Sequence, residues 1–171
     1  HVDVIRYLFG PIKKVCSLAG NRLNKLEAED TMHALLEFNK GFNGNIEVTT
    51  AARPKDFHAS ISVSGEKGTI VISGLAINKI ETLYLNNIKK SLNKIKIENS
   101  EKVKTGYGNS HIFYLNEIFK RISKKNLVPL VDCDEAYETS KLIHALYKSS
   151  ESKKWITVSN KNLSRFLGKN N

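Results

Sequence analysis

Several protein classes are set aside by what this chain has little of. Its two cysteines, Cys16 and Cys133, lie far apart and without metal-ligand spacing, which argues against a disulfide scaffold or zinc module and for a reduced, cytoplasmic protein. No apolar run approaches the roughly 18–20 residues needed to span a bilayer, and no signal-peptide pattern opens the chain. Sequence motifs for catalysis are equally scarce. There is no phosphate loop, Gly-x-Ser-x-Gly, His-Glu-x-x-His or Cys-x-x-Cys. Gly106-x-Gly108 lacks the third glycine and the preceding buried strand of a dinucleotide fingerprint. No internal repeat is visible. Arginine is rare: of 27 basic residues only five are Arg.

That last scarcity decides how the charge is read. A formal charge of +10 invites a nucleic-acid partner. Bidentate recognition of phosphate and guanine favours Arg, however, and here the basic residues are mostly dispersed lysines. A solvated basic surface is the expectation, with no nucleic acid and no membrane as partner. The 171 residues suffice for one domain with a real core, and 40% hydrophobic with 26% charged residues is ordinary for a globular protein.

Hydrophobic periodicity outlines the chain. Val2, Ile5 and Phe9, with Leu8 beside them, form a helical stripe that Gly10-Pro11 ends. With no cap or initiator methionine ahead of it, the chain is expected to be a fragment whose N-terminal part is missing. Ile12–Ala19 reads as a strand, Gly20–Ala28 as an exposed polar loop, Thr31–Phe38 as a second strand and Phe42–Ala52 as a third. Arg53-Pro54-Lys55 breaks the third strand, because proline cannot donate to a ladder. The stretch Phe57–Gly74 is the clearest element. Phe57, Ala59, Ile61 and Val63 alternate with His58, Ser60, Ser62 and Ser64, the turn Gly65-Glu66-Lys67-Gly68 follows, and Thr69–Ser73 returns as a β-branched run. Leu75–Leu85 continues in extended fashion. Asn86–Lys104, rich in lysine and asparagine, is expected to hold one edge strand carrying Ile95, Ile97 and Val103.

Two helices come next. His111–Lys125 places Ile112, Leu115, Phe119 and Ile122 on one face, with Asn109 or Ser110 as N-cap. The second opens at Asp132 with capping-box spacing to Glu135, runs to about Ser149, and is expected to bury Ala136, Leu142, Ile143 and Leu146. Trp155–Val158 is a short last strand, and 159–171 a polar C-terminal tail. Strands first and helices second, in hairpin order, predict an α+β fold: one largely antiparallel sheet with helices on one face and the other face open.

Candidate binding residues are few. His111 follows a glycine-rich loop and lies in the first turn of a helix, where free N–H groups and the helix dipole favour anions. Tyr107 is in the same loop. Arg53 and Lys55 leave the third strand together and can meet an anionic ligand. Each also has a plain reading, as local hydrogen bonding or solvated loop charge. His33, His58 and His144 are expected to be structural or exposed.

A succession of short segments carries a resemblance. They are His1–Gly10, Glu29-Asp30-Thr31, Phe38-Asn39-Lys40-Gly41, Gly44-Asn45-Ile46-Glu47, Gly65–Thr69, Ser110-His111 and Ala145–Ser150. In this order they resemble the C-terminal domain of the glucose-fructose oxidoreductase / inositol dehydrogenase / MocA (Gfo/Idh/MocA) family. The resemblance implies that residues 1–158 form the substrate-binding and oligomerisation domain of an oxidoreductase using NAD or NADP. The cofactor, a catalytic lysine and a catalytic histidine would belong to residues upstream of His1. The family's histidine stands three residues before the Asp that here is Asp3. His1 is therefore its neighbour, and the chain alone is expected to be inactive.

Thr49–Lys55 and the hairpin are similar to members associated with bacterial surface polysaccharide, which implies a sugar or nucleotide-sugar substrate and a role in lipopolysaccharide or capsule biosynthesis. In the family the open face of this sheet commonly packs against another subunit, so the resemblance also implies a homodimer or homotetramer, with the stripe His58, Ser60, Ser62 and Ser64 at the interface. The alternative is a non-catalytic binding or oligomerisation module.

Overall fold

The computed structural model describes residues 1–55, 57–87 and 91–169. In chain order the elements are α1 (Val2–Phe9), β1 (Ile12–Gly20), β2 (Thr31–Phe38), β3 (Asn43–Thr49), β4 (Ile61–Gly65), β5 (Gly68–Ser73), β6 (Lys79–Leu85), α2 (Leu92–Glu98), α3 (Ser110–Ser123), α4 (Cys133–Ser152) and β7 (Ile156–Thr157). They divide into two compact units, His1–Lys55 with Pro129–Asn171, and Asp56–Val128.

The first unit is a four-stranded antiparallel sheet in the order β3-β2-β1-β7. Strand alternation sends Ile12, Val15, Met32, Ala34, Leu36, Phe38 and Ile46 to one face, where Leu142, Ala145 and Leu146 of α4 cover them. Val2, Ile5 and Phe9 of α1 close one end of this core. Phe9 meets Phe38 and Phe42 edge-on, each with ring centroids 6.1 Å apart. Gly10 ends α1 at φ 88°, a conformation a Cβ would strain, and Pro11 follows.

α4 begins as its sequence requires: the Asp132 carboxylate accepts the Glu135 N–H at 2.8 Å. Its buried residues are Leu142, Ala145, Leu146, Ser149 and Ser150. Ala136 and Ile143, expected inside, are exposed. The buried residues follow i, i+3, i+4, i+7, i+8 spacing from Leu142, and Ala136 and Ile143 fall on the flank of that stripe.

The opposite face of this sheet is open. Lys14, Cys16, Leu18, His33, Leu35, Glu37, Asn45 and Glu47 alternate onto it, and Leu18 and Leu35 are each more than half exposed. Cys16 and Cys133 are both free thiols.

The second unit holds the sheet β4-β5-β6. Ile61 and Val63 pair with Ile72 and Ile70, which pair in turn with Ile80 and Leu83, so one face is aliphatic. The other face carries Ser62, Ser64, Thr69, Val71, Thr82 and Tyr84. The hairpin is thus present with its turn at Gly65–Gly68. Residues 57–60 lie outside the strand, however, so only Ser62 and Ser64 of the expected stripe are on a ladder.

The strands expected as one sheet form two among the described residues. β3 stops at Thr49, and the stretch to Ile61 contains Pro54, which offers no N–H to continue the ladder. Two further differences concern the helices. The edge strand expected around Ile95 and Ile97 is helix α2, which packs against β6 with Leu92, Ile95 and Lys96 on its covered side. In α3, Ile112, Leu115, Phe119 and Ile122 form the expected stripe, yet each is more than half exposed.

Residues 88–90 of the lysine-rich stretch, and 56, 170 and 171, lie outside the described residues. The segment expected as a polar tail packs back on α4. Glu151 accepts the Ser164 hydroxyl and the Arg165 and Phe166 amides, and His144 Nδ1 accepts the Ser164 amide at 3.3 Å. No described helix is long and apolar enough to cross a membrane.

Candidate functional site

The connection from β1 to β2 is built on one carboxylate. Asp30 is 3% exposed, and its oxygens accept the amide N–H groups of Arg22, Leu23 and Asn24, each at 2.8 Å, with the Thr31 hydroxyl at 3.0 Å. Burial works to raise its pKa. The amides and the hydroxyl act the other way and prevail, holding the group well below the usual carboxylate range. The loop is further closed by Asn21, whose amide donates to the carbonyls of Leu26 and Ala28.

Asn24, placed by that carboxylate, joins the loop to the segment after β3. Its Nδ2 donates to the Thr50 carbonyl at 3.1 Å, and its Oδ1 accepts Arg53 Nη2 at 2.6 Å. Arg53 Nη1 donates to the carbonyls of Ala52 at 2.8 Å and Thr50 at 3.3 Å. Thr50 N–H donates to the Asp30 carbonyl at 2.8 Å. The result is an exposed guanidinium held at a fixed place on a loop. Lys55, two residues on, is also exposed.

The other two expected residues belong to the second unit. Tyr107 is 82% exposed in the turn before α3, and His111 is exposed as the second residue of that helix. Asn109 stands at the N-cap but makes no capping bond. Its amide donates instead to Glu101 Oε2 and the Lys102 carbonyl, both at 3.4 Å. The structure therefore groups Arg53 with Lys55, and Tyr107 with His111. Periodicity and composition did not single out Asn24 or Asp30. The signal available was an Asp directly before a strand and an Asn inside a polar loop, both common capping residues.

At the start of the chain, Arg6 fixes α1 to α4. It donates to the Glu135 carboxylate, to the Glu135 carbonyl at 3.1 Å and to Thr139 Oγ1 at 3.2 Å, while Thr139 Oγ1 donates to Asp3 Oδ1 at 2.6 Å. Its hydrogen bond to Glu135 holds the guanidinium more firmly protonated than usual.

A nicotinamide dinucleotide does not fit these residues. Every strand pair among those described is antiparallel, so no parallel strand leads through a glycine loop into a helix N-terminus, the arrangement that cradles a pyrophosphate. A concavity of about 890 Å³ is lined by α3, from Phe113 to Ser123, and by Lys124 at its C-cap, and is an open helix flank.

The sequence model for the oxidoreductase family, C-terminal alpha/beta domain, matches residues 1–158. Among solved structures, the WlbA dehydrogenase from Bordetella pertussis, in complex with NADH and UDP-GlcNAcA, is 25% identical with a TM-score of 0.74; the alignment covers 92% of this chain and 42% of that one. The WlbA dehydrogenase from Chromobacterium violaceum, with the same ligands, is 22% identical with a TM-score of 0.79 over 94% of this chain and 44% of that one. A levoglucosan dehydrogenase in complex with NADH is 17% identical with a TM-score of 0.69, covering 92% and 48%. No curated protein matches significantly. The chain thus spans less than half the length of the dehydrogenases it resembles. The match over residues 1–158 shows that the chain belongs to the Gfo/Idh/MocA oxidoreductase family, as its C-terminal domain.

Proposed function

We propose that this chain is the substrate-side and self-association domain of an NAD- or NADP-dependent oxidoreductase acting on a sugar or nucleotide sugar in the cytoplasm. The observation that carries this reading is the family match over residues 1–158. The 25% identity to a dehydrogenase holding NADH and UDP-GlcNAcA favours a nucleotide sugar. The similarity of Thr49–Lys55 and the hairpin to surface-polysaccharide members extends the proposal to a place in lipopolysaccharide or capsule biosynthesis. The dinucleotide would be held mainly outside this chain, in keeping with the antiparallel sheets described above. Hydride transfer would then take place between a sugar carbon and the nicotinamide. Arg53 and Lys55 in the first unit, and separately Tyr107 and His111 in the second, are the residues proposed to meet the substrate.

The open face of the four-stranded sheet, with Leu18 and Leu35 exposed on it, and the face of the three-stranded sheet that carries Ser62, Thr69 and Tyr84 support assembly into a homodimer or homotetramer.

The test is to titrate the protein with NADH and with UDP-sugars, and to assay the complete gene product for sugar-dependent reduction of NAD or NADP. Binding of a UDP-sugar without tight NADH binding, together with activity of the complete protein, is the expected result. Absence of any sugar-dependent nicotinamide reduction across sugars and nucleotide sugars would favour a non-catalytic binding module instead.

A further inference from the structure

The meeting of the β1–β2 connection with the segment after β3 leaves a cation in an unusual condition: rigidly held, yet paired with no carboxylate among the described residues. An arginine carries five N–H donors in a planar fork. For Arg53, three are engaged, two by the carbonyls of Thr50 and Ala52 and one by Asn24 Oδ1. All three acceptors are neutral. Nε–H and one Nη2–H remain without a partner among the described residues. The nearest carboxylate in the network is Asp30, whose oxygens are occupied by the amides of Arg22, Leu23 and Asn24 and the Thr31 hydroxyl. It shapes the loop and, among the described residues, leaves the guanidinium without a carboxylate partner.

We infer that Asn24 is a positioning residue that holds Arg53 as a ready-made fork for an oxyanion, the phosphate or carboxylate of an acidic sugar ligand. This rests on the sugar-oxidoreductase reading given above. A free arginine loses side-chain freedom when it closes on an anion; one already fixed by three hydrogen bonds loses much less, which favours binding. The identity of residue 24 matters for the same reason. An asparagine can both donate to Thr50 and offer a neutral oxygen to Arg53. An aspartate would orient the guanidinium equally well but neutralise it. Lys55, exposed two residues further on, adds a second positive charge to the same segment.

The experiment follows the Arg53 Nε–H resonance and the heat of binding at low salt. The probes are inorganic pyrophosphate, glucuronate and neutral glucose, applied to the protein and to the Asn24→Ala, Asn24→Asp and Arg53→Lys variants. The expected result is that pyrophosphate, glucuronate or both shift the Arg53 Nε–H while glucose does not. A stronger response to pyrophosphate assigns the fork to a nucleotide phosphate, and a stronger one to glucuronate assigns it to a sugar carboxylate. Asn24→Ala should weaken anion binding about fivefold, as expected for losing one orienting hydrogen bond. Asn24→Asp should abolish binding without a matching loss of melting temperature, a split that a purely structural role would not produce. Arg53→Lys should not restore wild-type affinity, since a point charge cannot replace the fork.

An Arg53 Nε–H unmoved by both anions, or an Asn24→Asp variant that binds them like the wild type, would overturn the inference. So would a UDP-sugar that shifts Tyr107 and His111 while leaving Arg53 untouched, a result that would leave the sugar-oxidoreductase reading standing.

Discussion

The hydroxyl of Ser149 in α4 accepts the backbone N–H of Ser17 in β1 at 2.9 Å, and donates to the Lys154 carbonyl at 2.6 Å. β7 pairs with β1 only at Lys14 and Val15. Beyond that point the strand edge runs under the helix, and helix serines take the place of the absent strand. Ser150 Oγ accepts the Ala19 N–H at 2.8 Å, and Ser17 Oγ donates to the Leu146 carbonyl at 2.5 Å. Ser149→Ala should therefore destabilise the protein by about 1–3 kcal/mol, because it strands buried backbone groups. Ser150→Ala, at a less buried contact, should cost less. Chemical denaturation of both variants measures this, and a Ser149→Ala protein as stable as the wild type would show that the edge needs no such replacement.

Asp30 supplies an acid-sensitive contribution. Its folded pKa is depressed by the three amides and the Thr31 hydroxyl despite burial. A depressed carboxylate stabilises the fold above its unfolded pKa of about 3.9, and that contribution is lost as pH falls through the folded value. The wild type should lose stability on acidification in this region, while Asp30→Asn should be weaker at neutral pH and show a shallower acid limb. Parallel pH–stability curves for the two proteins would remove Asp30 as the cause.

Glu151 makes a local version of the same prediction. Burial raises its pKa, but the Ser164 hydroxyl and the Phe166 and Arg165 amides lower it further, so the net direction is down. Lowering the pH towards that depressed value should release 164–166 before the sheet unfolds. Amide exchange read by NMR should show Arg165 and Phe166 losing protection first. Glu151→Gln should lose it already at neutral pH.

Tyr147 sets the opposite end of the pH range. Burial, together with its 2.8 Å hydrogen bond to Glu29 Oε1, pushes the phenol up to about 12. A folded pKa above the unfolded value of about 10 means stability present below pH 10 and lost as pH rises towards 12. Spectrophotometric titration should show one tyrosine ionising after the others, and Tyr147→Phe should remove that late step. The Phe variant also leaves Glu29 without its phenol partner, beside an Oε2 that is buried and has no hydrogen-bond partner among the described residues.

Local signals made much of the fold legible. Alternation at Met32, Ala34, Leu36 and Phe38 marked β2, and Asp132 three residues before Glu135 marked the start of α4. Ile95 and Ile97 alternate just as well, yet the covered side of α2 is Leu92, Ile95 and Lys96. In so short a segment, a lysine stem packing against a strand looks like a surface residue. Ala145, Ser149 and Ser150 belong to a segment that carries the family resemblance, but periodicity does not mark them as core, because their burial rests on small size and, for the serines, on bonds to a strand some 130 residues earlier. The site divides in the same way. Arg53 and Lys55 stand out as charges beside a strand end. Asn24 gains its meaning only from a contact across 29 residues, and an apolar stripe such as that of α3 shows a face without showing what meets it.

The segment Ser159–Lys169 bears on where this domain ends. The family match stops at residue 158. Packing does not: Gly168 lies against Glu29 and Tyr147 so closely that a Cβ there would sit 1.9 Å from Glu29 Oε2, and Lys169 pairs with Glu27 at 3.4 Å. A chain cut at Val158 would deprive Glu151 of all its backbone and hydroxyl donors and uncover the Glu29–Tyr147 pair. The unit that sequence signatures delimit is therefore shorter than the unit that packs. A fusion joined at residue 158 would divide a packed unit.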